Sequence, residues 1–96
     1  MSEKKIWKYE LPFETHNDID GGMPRGSEIL SVQMQGERLQ IWVLVDPTAP
    51  VECRVFRIYG TGWPIPDEPR LHYLETAQSG EFVWHIFELK DASNEQ

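Results

Sequence analysis

The stretch that decides the fold is Arg38 to Gly62, R-L-Q-I-W-V-L-V-D-P-T-A-P-V-E-C-R-V-F-R-I-Y-G-T-G. Between Leu39 and Val45 the odd positions Leu39, Ile41, Val43 and Val45 place apolar side chains on one face, the period of two that an extended strand imposes. Trp42 and Leu44 add apolar groups to the other face, so both faces call for cover. Asp46-Pro47 and Pro50 bound a corner. The run Val51 to Tyr59 then sends Val51, Cys53 and Val55 one way and Phe56 and Ile58 the other, with Arg54 and Arg57 on opposite faces. It reads as a second central strand, ended by Gly60-Thr61-Gly62.

Working outward, Gln35-Gly36-Glu37 is short enough to join Arg38–Val45 to an antiparallel strand over Glu28 to Met34, in which Ile29 faces opposite to Leu30, Val32 and Met34. Met23-Pro24-Arg25-Gly26 forms the tight turn that delivers the chain into it. The segment Phe13 to Gly26 is dense in turn formers and leaves room for one short strand near Ile19. Ile6 to Leu11 alternates, with Trp7, Tyr9 and Leu11 on one side, as in a half-buried strand that Pro12 ends.

Downstream, three prolines between Pro64 and Pro69 make an extended surface loop. Leu71 to Gln78 and Glu81 to Leu89, joined by Ser79-Gly80, are the last two strands. Neither face of the final one is plainly polar, so it needs cover on both sides, from a second sheet or a second subunit. No segment carries a sustained helical period. The reading is an all-β domain over 6–90, of about six mostly antiparallel strands in a small barrel or sandwich. Residues 1–5 are expected to be frayed and 91–96 a disordered tail.

At 96 residues the core is small, and four Trp, three Tyr and four Phe compensate with large buried areas. That aromatic surface points to a homo-oligomer. A net charge of −7 with only nine scattered Lys and Arg excludes a general nucleic-acid binder. The single Cys53 excludes an intramolecular disulfide and fits a reducing compartment; it reads as a buried structural thiol. No apolar run reaches membrane-spanning length and no signal-peptide pattern opens the chain, so a cytoplasmic location is expected.

The residues that suggest chemistry are few. Successive amides of Gly60-Thr61-Gly62 can converge on an anion. Trp63, between that turn and the proline loop, is placed equally to pack the loop onto the barrel or to act as a stacking platform worth ~1–3 kcal/mol per base. Arg25, Arg54 or Arg57 would neutralise a phosphate, although an arginine on a central strand is equally served by an ion pair. His16 beside Asp18 and Asp20 reads as a solvated acidic loop rather than a metal site, and no cofactor is called for. His85 and His72 are the only candidates for a general base, and no nucleophile–base pairing stands out, so no catalytic residue is assigned.

Ile6-Trp7-Lys8-Tyr9, Met23-Pro24-Arg25-Gly26 leading into Glu28-Ile29-Leu30, Trp42 with Val45-Asp46-Pro47, Arg54 to Phe56, Gly60-Thr61-Gly62 and His85 to Glu88 together resemble a family of small phage and prophage proteins of unknown function. The resemblance covers about Ile6 to Leu89. Trp63-Pro64 stands where relatives often carry histidine and proline, so no role of that histidine transfers, and Ser27 replaces a usual alanine. The resemblance implies a phage setting, in which small acidic β-proteins include decoys for the nucleotide signals of host immunity. The expected function is therefore a non-enzymatic binder of a small phosphorylated ligand, through Arg25, Arg54, Arg57, Gly60, Thr61, Gly62, Trp63 and His85. A protein-interaction module working through a sheet edge or the proline loop is the alternative, and a nucleotide hydrolase the second alternative.

Overall fold

Leu39, Ile41, Val43 and Val45 are all fully buried, and the architecture assembles around them. The structure is a computed structural model that describes residues 3–19 and 22–90; the expectations for Met1-Ser2, Asp20-Gly21 and the 91–96 tail lie outside the described residues. Among the described residues the chain forms β1 (Lys5–Leu11), β2 (His16–Asp18), β3 (Met23–Pro24), β4 (Glu28–Gln35), β5 (Arg38–Val45), β6 (Val51–Glu52), β7 (Val55–Gly60), β8 (Leu71–Ser79) and β9 (Phe82–Leu89), with no helix. The six expected strands are present, one of them split in two, and two short ones occupy the turn-rich segment.

All pairings are antiparallel. One sheet has the order β1-β5-β4, a second β2-β7-β9-β8, and β3 pairs with β6 as a small ribbon. None closes into a barrel. Leu11, Val32, Leu39, Ile41, Val43 and Val45 of the first sheet share one core with Phe56, Ile58, Ala77 and Ile86 of the second. This is an open sandwich, and its smallest dimension of 18 Å fits two layers stacked ~10 Å apart. The hairpins β4–β5 and β8–β9 turn through Gly36-Glu37 and Gly80-Glu81, each with positive φ at the glycine, +62° and +60°.

The expected facing of β4 needs correction. The register slips between Ile29 and Ser31, so Leu30 is an extra residue in a bulge and is exposed, while Ile29 packs on the core with Val32 and Met34. A matching slip in β8 falls between Tyr73 and Glu75. The two bulged edge strands approach each other there: the Val32 N–H donates to Glu75 Oε1 at 3.4 Å.

Val51 to Tyr59 is likewise not one strand. β6 pairs with β3, the ladder stops at Cys53 and Arg54, and β7 starts afresh in the second sheet. Cys53 lies at this crossing and is exposed, which overturns its reading as a buried thiol.

Arg54 turns inward at the same crossing. Its Nε and Nη2 grip both carboxylate oxygens of Glu88, the latter at 2.9 Å, and Nη1 donates to the Ser27 carbonyl at 2.9 Å. The side chains are 14% and 4% exposed. Glu88 stands on the core face beside Ile86, so this pair is what allows a carboxylate there, and its hydrogen bonds hold the guanidinium above its ordinary pKa against desolvation.

Cover on the outer faces is unequal. Over β5, Gln40 is buried beneath long polar side chains: Lys8 Nζ reaches Gln35 Oε1 at 2.6 Å and Arg38 pairs with Glu10 at 2.9 Å, while Trp42 and Leu44 stay half-buried. On the second sheet, the loop after β7 lies over part of the face that the sequence assigned to another sheet or subunit: Ile65 and Trp63 wall a cleft with Tyr73, His85 and Phe87 on the face where Tyr59 is buried.

Arg54→Ala strands the Glu88 carboxylate, and the expected loss is about 3–5 kcal/mol in urea unfolding. The double variant Arg54→Met, Glu88→Leu should recover most of it; equal losses in single and double variants would show that the pair does not hold the crossing.

Candidate functional site

Two strands and two turns build the site. β7 ends at Gly60, and the Trp63 N–H donates to the Gly60 carbonyl at 3.1 Å, closing a four-residue turn. Its third residue, Gly62, has φ +88°, the angle required at that place in a type II turn. Gly60 itself has ordinary φ and is needed for a different reason. A Cβ there would lie 2.8 Å from Trp63 Cε2 and 2.9 Å from Nε1, so the indole rests directly on the Gly60 backbone.

Trp63 thereby becomes a wall between two depressions. On the outer face of the second sheet is a cleft of about 270 Å³ lined by Gly60, Thr61, Gly62, Trp63, Ile65, Tyr73, His85 and Phe87. Its floor is a hydrogen-bonded chain: Thr61 Oγ1 meets His85 Nε2 at 2.8 Å, Thr76 Oγ1 meets His85 Nδ1 at 3.1 Å, and Tyr73 Oη meets Thr76 Oγ1 at 2.6 Å. Phe87 is packed edge-on by Tyr59 at 5.7 Å and by Tyr73 at 5.6 Å. On the other side of Trp63 is a groove of about 510 Å³ lined by Gly60, Thr61, Trp63, Glu81, Phe82, Val83 and Trp84.

The expected site residues divide into four groups. Gly60, Thr61, Gly62, Trp63 and His85 come together in the cleft. Arg57 lies on the same outer face, paired in register with the cleft residue Phe87, but does not itself line the cleft. Its Nε is buried without a hydrogen-bond partner, and among the described residues it forms no ion pair. Arg54 is taken up by Glu88, as an ion pair rather than a ligand contact. Arg25 is exposed in the turn Pro24–Ser27, its N–H given to the Pro50 carbonyl at 2.7 Å, beside the ribbon at the far end of the β7 direction.

Glu68, on the proline loop, is held by a different arginine. Arg70 binds it through Nε at 3.0 Å and Nη2 at 3.1 Å. These bonds keep the Glu68 carboxyl below its ordinary range, with a weaker pull from Arg57. Since the pKa is depressed, this anchor of the proline loop is complete at neutral pH and is lost only as pH falls through the lowered value.

The sequence reading missed Tyr73, Thr76 and Phe87, because their place beside His85 and Trp63 follows from the β8–β9 register and its bulge. It also missed Phe13, Glu81 and Phe82. The spacing of Phe82 and Trp84, two residues apart on one strand face, was the available signal. Among the described residues no group of three His, Cys, Asp or Glu gathers as a metal site, and no helix is long and apolar enough to cross a membrane.

Fold and site define an open two-sheet all-β domain with an aromatic-walled cleft at one end of the sheets. The chain belongs to the family described as a domain of unknown function (DUF7352), which matches residues 2–96. No curated protein and no solved structure matches it.

Gly60→Ala should push the indole off its seat without unfolding the sandwich. The edge-on pair of Trp63 and Trp84, 5.6 Å apart, is expected to give an exciton couplet in far-ultraviolet circular dichroism, lost in Gly60→Ala and in Trp63→Phe. A couplet retained in Gly60→Ala would mean the ring does not rest on that backbone.

Proposed function

We propose that this chain is a non-enzymatic binding protein that sequesters a small phosphorylated ligand with a flat heterocycle, such as a nucleotide, in the cleft beside Trp63. The observation that carries the reading is the buried, unpartnered Nε of Arg57 next to Phe87. A buried guanidinium N–H without an acceptor is a standing cost in the empty protein, and an anionic oxygen removes it. Because Glu68 is engaged by Arg70, Arg57 keeps its charge available for that oxygen. Trp63 offers a ring face to a base, and the Thr61 and Tyr73 hydroxyls, each able to make more than the one bond it has, offer hydrogen-bonding atoms to its edge.

The resemblance to phage proteins gives the reading its setting: a decoy in the host cytoplasm that withdraws a nucleotide immune signal, acting as a homo-oligomer. The outer edge of β1, which pairs with no strand among the described residues and has Ile6 60% and Trp7 38% exposed, is the surface that suits a second copy. The same edge supports a second reading, addition of a strand from a host or phage protein. Hydrolysis has less support. Both His85 nitrogens meet threonine hydroxyls, and no carboxylate bonds to it among the described residues.

The test is calorimetric titration with mono- and cyclic nucleotides, followed by recovery of the ligand. Trp63→Ala and Arg57→Gln should each weaken binding by about tenfold or more, with the melting temperature held, whereas Arg25→Gln leaves it unchanged. The ligand should be recovered intact. Equal binding by Arg57→Gln would remove the phosphate half of the proposal, and a cleaved ligand would replace sequestration by catalysis.

A further inference from the structure

The groove on the other side of Trp63 is a separate construction. Trp84 stands at its centre. Trp63 meets it edge-on at 5.6 Å, Phe82 lies nearly parallel at 6.0 Å and 24°, and Phe13 packs at 5.2 Å. These rings come from three parts of the chain, yet Phe13, Trp63 and Phe82 remain 42%, 48% and 66% exposed. Aromatic rings gathered at one point usually serve to bury one another. Here they converge and stay open to solvent.

The position of Phe13 is built rather than incidental. The Glu14 N–H donates to the Pro12 carbonyl at 2.7 Å, a three-residue turn centred on Phe13. The buried Asn17 amide then donates to both flanking carbonyls, Pro12 at 3.0 Å and Glu14 at 2.9 Å. A buried side chain is thus committed to holding a half-exposed ring against Trp84.

The charge of the groove selects its occupant. Glu81 is the only charged residue in the lining; it is exposed and forms no ion pair among the described residues. No Lys or Arg lines the groove, and the chain as a whole carries −7. Ring faces are negative, so they attract a cation, and a carboxylate at the rim reinforces the attraction. Arginine fits both parts, because its planar guanidinium stacks on indole while its fork of N–H groups pairs with a carboxylate. A groove of about 510 Å³ holds such a side chain together with part of its backbone.

We infer that the groove lined by Trp63, Phe82, Trp84 and Glu81, with Phe13 packed on Trp84 beside it, is a docking site for an arginine side chain in a basic segment of a partner protein. It is distinct from the ligand cleft, from which the Trp63 ring divides it.

The probe is a soluble peptide of alternating arginine and glycine, titrated into the full chain and followed by tryptophan emission and calorimetry. The peptide should bind, and its lysine counterpart should bind about tenfold more weakly. Phe82→Ala and Glu81→Gln should each weaken the arginine peptide by about tenfold, both side chains being exposed and dispensable for folding. Glu37→Gln is the matched control: it removes the same charge at the same position of the other glycine–glutamate hairpin, and Glu37 lines neither the groove nor the cleft. Arg57→Gln should leave peptide binding intact while losing nucleotide, so that the two sites fail separately. Loss in Glu37→Gln equal to that in Glu81→Gln would reduce the effect to net charge and overturn the site. Methylguanidinium binding as tightly as the peptide would overturn the protein partner in favour of a small free cation.

Discussion

The buried pair of Arg54 and Glu88 is the constraint on which the rest depends. A chain that builds β1, β4 and β5 in one sheet and β7, β8 and β9 in the other must cross between them, and it does so at Cys53 and Arg54. At a crossing the ladder stops and backbone groups lose their partners. Arg54 supplies donors there: it binds the Ser27 carbonyl ahead of β4 and both oxygens of Glu88 near the end of β9. One side chain thus ties together three segments far apart in sequence. Removing either charge leaves the other buried alone, which is why such a pair is strongly held even where its net contribution is small.

That commitment decides which arginine has chemistry left. In the sequence Arg54 and Arg57 fell on opposite faces of one strand, with nothing local to show which face was buried. The pairing register separates them: Arg54 follows the core-facing row of Phe56 and Ile58 toward Glu88, whereas Arg57 falls on the outer row with Phe87 and His16. No carboxylate stands across from Arg57 in that row. Glu68, whose carboxyl Arg57 weakly favours in its charged form, arrives on the proline loop already bound to Arg70. The loop therefore performs two tasks, covering part of the outer face through Ile65 and withholding its carboxylate from Arg57.

What could be read from the sequence was what depends on local period. The alternation of Leu39 to Val45, the glycine of the β4–β5 hairpin and the half-burial of Ile6 to Leu11 each follow from neighbours along the chain. Errors arose where one residue broke the period. Leu30 bulges outward and moves Ile29 into the core, and the break at Cys53 exposes a thiol that an unbroken strand would have buried. The site was half visible for the same reason. Gly60 to Trp63 and His85 are conspicuous as types, but Phe13, Thr76 and Phe87 join them only through long-range pairing, which no window of sequence contains.

Trp63 unites these observations. Its ring is fixed from below by the bare backbone of Gly60 and from one side by Trp84, so it is a rigid partition with a histidine-floored cleft on one side and an acid-rimmed aromatic groove on the other. A side chain held this firmly yet 48% exposed adds little to the core. The glycine that makes room for it lowers the strand propensity of β7, and the turn behind it needs a second glycine at positive φ. A sandwich built for stability alone would bury the tryptophan or omit it. Keeping a preorganised aromatic wall at solvent favours binding, because a ring already ordered loses little further entropy when a ligand meets it.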